Sequence, residues 1–81
     1  MVIKVLGTGC ARCKTLEQNV MNALAELGVA ADVEKVTDLN KITDYGVMMT
    51  PGLVVNEKVK VFGRVPNKEE IKKWIQEEIG R

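Results

Sequence analysis

Histidine is absent from the 81-residue sequence and cysteine occurs only twice. One chain therefore cannot complete the usual set of thiolates and imidazoles that holds a zinc ion, and no metal or other cofactor is expected. An excess of charge of one sign is also missing. Twelve basic and eleven acidic residues are interspersed and leave a net charge of +1, which offers no electrostatic footprint for nucleic acid or an anionic membrane. Long hydrophobic runs are missing too: the stretch Met1–Leu6 contains Lys4 and stops at Gly7, too short for a signal-peptide core or a bilayer span. The protein is accordingly expected to be cytoplasmic. Repeats, linkers and low-complexity segments are absent.

The composition is that of a globular protein, 46% hydrophobic and 28% charged, and 81 residues leave room for one hydrophobic core and one domain, residues 1–81. The two cysteines form the pattern Cys10-Ala11-Arg12-Cys13. In a reducing compartment such a pair is hardly kept as a structural staple, and a bridge across so small a loop constrains the unfolded chain little. A reversible redox role or metal binding remains.

Periodicity predicts the element order β-α-β-α-β-β-α. Val2–Leu6 is a short apolar run closed by Gly7-Thr8-Gly9 and reads as a buried strand ending in a turn. From Ala11 to Leu27, Cys13, Leu16, Val20, Ala23, Leu24 and Leu27 recur at helical steps, with Gly28 as the stop. A strand over Val29–Val36 lacks clean alternation. Thr37 or Asp38 can cap a short helix that turns Leu39 and Ile42 inward and ends at Gly46. Leu53–Val55 and Val59–Phe62, joined through Asn56-Glu57-Lys58, read as a hairpin whose turn type stays open, because glycine would suit a type I′ turn better than Glu57. Asn67 with Glu70 opens a final helix as a capping box, and Ile71, Trp74, Ile75 and Ile79 form its inward stripe. The first β-α-β unit demands a parallel strand pair with a right-handed crossover, and the hairpin adds an antiparallel pair. The fold class is therefore α/β, a four-stranded mixed sheet with helices on both faces.

Cys10 falls where the first long helix begins. Unpaired backbone N–H groups and the positive end of the helix dipole favour a thiolate there, and cysteines so placed have pKa values anywhere within ~3.5–7.5. Cys13 lies one turn further, on the apolar stripe, and suits a resolving thiol. Cys10 would attack a partner's disulfide and Cys13 would then attack Cys10, releasing the reduced partner. Arg12 either adds modulating charge beside the pair or is simply solvated. Glu17, one turn beyond Cys13, offers a proton relay, but a glutamate on an exposed helix flank needs no function. Lys4 reads as a lysine snorkelling from a partly covered sheet face. Met48 and Met49 suit either an adaptable apolar rim or gap-filling in the core.

These residues and the element order resemble the thioredoxin-glutaredoxin superfamily over nearly the whole chain. More narrowly, Gly7-Thr8-Gly9-Cys10-Ala11-Arg12-Cys13, Thr50-Pro51-Gly52-Leu53-Val54-Val55-Asn56 and Gly63-Arg64-Val65-Pro66 are similar to the small redox-active disulfide proteins. The resemblance implies a minimal thioredoxin-like fold with a cis-proline, Pro51, facing the cysteines, and a backbone at Thr50 that pairs with an extended substrate segment. Disulfide-containing or dithiol proteins, small thiols and an upstream reductase are the expected partners, and the chain is expected to be a monomer. Gly9 stands where thioredoxins usually carry tryptophan, and Ala11-Arg12 replaces their Gly-Pro, so the resemblance does not set the redox potential. Nor does the chain carry an identifiable glutathione-binding pattern.

Two rival functions use the same cysteines. Thr8–Cys13 also resembles the Cu(I)-carrying loop of heavy-metal-associated domains, although Thr8 replaces the methionine usual there and this chain is expected to end in a helix rather than a strand. The other rival is a non-catalytic interaction domain that senses redox state. A C-x-x-C beside a β-α-β pattern favours oxidoreductase chemistry.

Overall fold

The structure, a computed structural model, describes residues 1–9 and 11–80. Seven elements follow in order: β1 (Val2–Leu6), α1 (Ala11–Leu27), β2 (Asp32–Val36), α2 (Leu39–Asp44), β3 (Gly52–Val55), β4 (Lys58–Phe62) and α3 (Lys68–Glu78). The sheet order is β2-β1-β3-β4, with β1 parallel to β2 and antiparallel to β3, and β3 antiparallel to β4. This is the expected mixed sheet.

Strand alternation divides β1 between two cores. Ile3 and Val5 join Leu16, Val20, Ala23, Leu53, Val55, Ile71 and Ile75 under α1 and α3, whereas Leu6 joins Ile42, Val47 and Val54 under α2. The first and last helices thus share one sheet face and α2 covers the other. Burial of these aliphatic side chains, worth roughly 1.5–3 kcal/mol apiece, dominates the stability of the assembly.

α1 stops in a Schellman arrangement. Gly28 takes a left-handed φ of 66°, its N–H donates to Ala25 O, and the Val29 N–H donates to Leu24 O. Those bonds engage Val29 in closing the helix, so β2 begins at Asp32 rather than at Val29. In α2 the Asp38 side chain caps the Asn40 N–H, and Ile42 faces the sheet. Leu39 does not: it is 63% exposed, because a helix of six residues sets it beside the cap, and Val47 fills the apolar place instead.

The hairpin is closed by Asn56 and Glu57, both with positive φ, the pattern of a type I′ turn. Glu57 adopts this conformation while its carboxylate pairs with Lys4 Nζ at 2.8 Å and accepts a hydrogen bond from Tyr45 Oη at 3.0 Å. Lys4 Nζ also donates to Tyr45 Oη at 2.9 Å, so Lys4 is tied into a network rather than merely snorkelling. The register shifts between Leu53 and Val54, leaving Lys60 between the paired Val59 and Val61, and this bulge sends Lys60 to Glu78 of α3 at 2.7 Å. Asn67 and Glu70 complete the expected capping box. Trp74 is half-buried against the larger core, and Ile79 is 38% exposed because the helix has ended beneath it.

Asn67→Ala should destabilise the protein by about 1 kcal/mol through loss of the cap, read by denaturant unfolding. Hydrogen bonding from Lys60, with a further contribution from the Lys60 and Lys58 charges, holds the Glu78 carboxyl below the ordinary value of about 4.5. A depressed folded-state pKa contributes stability above the unfolded value and loses it as pH falls. The stability difference between wild type and Lys60→Met should therefore be largest near neutral pH and shrink as pH falls below about 4.5, as measured by unfolding across that range.

Candidate functional site

The carboxyl end of β1, the first turn of α1, the amino end of β3 and the segment after β4 converge at one end of the sheet. Cys13 begins the buried stripe of α1 and is 5% exposed. Its sulfur lies directly over the backbone of Gly7: a Cβ added there would collide with Cys13 Sγ and stand 3.9 Å from Thr50 Cβ. Gly7 is required by this close approach. Its role was missed in the sequence, where it read as part of a turn and of the segment that carries the resemblance; the available signal was a glycine placed immediately after a buried strand, six residues before Cys13.

The Thr50–Pro51 peptide bond is cis. Pro51 is buried, and its carbonyl accepts a hydrogen bond from the Gly63 N–H at 2.9 Å. Arg12 is exposed, yet its Nη2 donates to Gly63 O at 3.2 Å. Gly63 thus links the first turn of α1 to the proline loop, a role that only the tertiary structure reveals. Met48 and Met49, 82% and 61% exposed, rim this loop and contribute nothing to either core. Cys10 lies outside the described residues. Cys13, Thr50, Pro51 and Arg12 are brought to the same end of the fold; Lys4 stands apart, on the α2 face with Tyr45 and Glu57.

On the other flank of Cys13 a small cleft of about 60 Å³ opens between α1 and β2, bordered by Gly7, Gly9, Cys13, Glu17, Lys35 and Thr37. Lys35 Nζ pairs with Glu17 Oε2 at 3.3 Å across it. Among the described residues no group of three or more Cys, His, Asp or Glu is arranged to hold a metal ion, and no helix is long and apolar enough to cross a membrane.

Gly7→Ala tests the close approach. It should destabilise the protein by roughly 1–3 kcal/mol through overpacking. Combining it with Cys13→Ala, which removes the sulfur, should recover part of that loss, a non-additivity readable in a double-mutant cycle of unfolding free energies.

Residues 1–76 match the family model described as thioredoxin domain. The chain is 47% identical over 73 residues to a thioredoxin of Methanothermobacter thermautotrophicus, covering 90% of this chain and 95% of that one. It is 41% identical over 76 residues to a thioredoxin of Methanocaldococcus jannaschii, covering 94% and 87% respectively. A probable thioredoxin of Methanothermobacter marburgensis is 34% identical over 85 residues, 98% of this chain and 99% of the relative. With the α/β sheet order and the helix placement already described, these matches establish that the chain belongs to the thioredoxin domain family.

Proposed function

We propose that residues 1–81 act as a single thiol-disulfide oxidoreductase domain in which Cys10 is the attacking thiol and Cys13 the resolving one. The observation that carries this reading is the burial of Cys13 on the inward stripe of α1. A sulfur so placed is protected from solution, and its position in the sequence, three residues after Cys10, suits attack on a mixed disulfide formed at Cys10. α1 has no acidic residue in its first turn, so nothing within that turn offsets the positive end of the helix dipole. Thr50 and Pro51 would receive the partner: Thr50 and the Cys13 sulfur both lie against the backbone of Gly7, which supports a backbone edge beside Cys13 on which an extended segment lies. Arg12 would modulate the pair, both by its charge and by holding the Gly63 segment.

The reaction exchanges disulfides for thiols and needs no bound cofactor. Its partners would be disulfide-containing or dithiol proteins and an upstream reductase, met in the cytoplasm by a monomer. The relatives are thioredoxins, which supports this class of chemistry.

Limited alkylation of the reduced protein near neutral pH, followed by mass spectrometry, tests the assignment. Cys10 should label at least ~10-fold faster than Cys13, the advantage of a depressed thiolate pKa and of access. Cys13→Ser should accumulate mixed disulfides with partners, and Cys10→Ser should form none. Equal labelling, with stoichiometric Cu(I) binding that either substitution cripples, would overturn the reading in favour of a metal carrier.

A further inference from the structure

Two adjacent thioethers stand in the open beside the proline loop. Val47, the residue before them, fills the smaller core and is 1% exposed, so the apolar place in this segment is already taken. Met48 and Met49 follow it into solvent, 82% and 61% exposed. The next two residues are Thr50 and the cis-linked Pro51. A partner segment lying along Thr50 and Pro51 therefore meets these side chains as well.

Met49 does not simply extend into water. A Cβ placed on Gly63 would lie 3.6 Å from Met49 Cβ, 3.7 Å from its Sδ and 3.8 Å from its Cε. The thioether thus rests against the residue that joins Arg12 to the Pro51 carbonyl. Phe62, directly before Gly63, is 47% exposed and adds to the apolar character of the rim. Methionine gives such a surface an adaptable apolar contact. Oxidation removes that property, because it turns the flexible thioether into a polar, chiral sulfoxide and disrupts interfaces built from methionine.

We propose that Met48 and Met49 are an oxidation site that regulates partner docking: sulfoxide formation by a hydroperoxide makes the rim of the proline loop polar and weakens its hold on protein disulfides, while the cysteine chemistry stays intact. This rests on the disulfide-exchange reading above. In each event the O–O bond of the hydroperoxide breaks and an S–O bond forms on the thioether. The sulfur loses two electrons. The hydroperoxide gains them and leaves as the corresponding alcohol, or as water, its proton having moved to the departing oxygen. A methionine sulfoxide reductase restores the thioether.

For the test, the disulfide form of the protein is treated with hydrogen peroxide, so that no thiol competes for the oxidant. It is then reduced with dithiothreitol, which leaves sulfoxides in place. Peptide mapping should find Met48 and Met49 oxidised ahead of Met21, which is 50% exposed, and of the partly buried Met1. The KM for insulin, a protein disulfide, should rise about fourfold or more, the scale of one lost methylene contact, while the rate with a small aryl disulfide stays within about twofold. Methionine sulfoxide reductases should return the KM to its starting value. The double variant Met48→Leu/Met49→Leu, compared with its own untreated form, should show no rise. The proposal is overturned if Met1 and Met21 oxidise first, if oxidation leaves the KM unchanged, if both substrates slow equally, or if the double variant loses as much as wild type. Untreated wild-type protein that reduces neither insulin nor the aryl disulfide would instead remove the underlying disulfide-exchange assignment.

Discussion

The architecture of the site depends on one close approach, that of the Cys13 sulfur to the backbone of Gly7. The stripe of Cys13, Leu16, Val20, Ala23 and Leu24 fixes the rotation of α1 on the sheet, and its first member lands on the end of β1, where any side chain would displace it. Everything nearby follows from that rotation. Residues preceding and following Cys13 on the helix are directed to opposite flanks. Arg12 therefore reaches Gly63 and, through it, the Pro51 carbonyl, while Glu17 turns towards Lys35 and the cleft. One contact thus sets a buried sulfur, a link to the proline loop and a carboxylate beside the cleft on their separate flanks of α1.

Much of the fold was legible in the sequence because it is written in periodicities and caps. The stripe of α1, the parity of β1, the Asn67–Glu70 box and the hairpin all express rules that act over a few residues. The departures share a cause of a different kind. Leu39 reads as an inward residue, yet its helix is too short to carry it over the core, and Val47 beyond the stop replaces it. Glu57 reads as a poor turn residue, but it gains partners from β1 and from Tyr45 that no local pattern contains. Ile79 follows the helical spacing but stands at the cap, past the end of the sheet-facing surface.

The candidate site was legible in its cysteines and its proline and illegible in its supports. Gly7 and Gly63 fall in segments that carry the resemblance, but what each does shows only in the contacts of the folded chain: Gly7 with Cys13 and Thr50, Gly63 with Arg12 and Pro51. Lys35 lies on a strand whose sequence shows little alternation, and its tie to Glu17 appears only once β2 is placed parallel to β1. The surface ion pairs between α1 and α3, in which Lys68 and Lys72 meet Glu26, were equally invisible. They hold exposed geometry rather than supply much free energy.

The bulge at Lys60 and the charges along β2 also bear on how the molecule behaves among many copies of itself. A four-stranded sheet offers two outer strands whose unpaired peptide groups can recruit a neighbour. Here one outer strand, β2, exposes Asp32, Glu34 and Lys35, so a like strand brought alongside would have to bury charge. The other, β4, is interrupted at Lys60, which breaks the regular spacing a neighbour would need. The weak alternation that made β2 hard to recognise is thus the same property that opposes growth of the sheet into an aggregate.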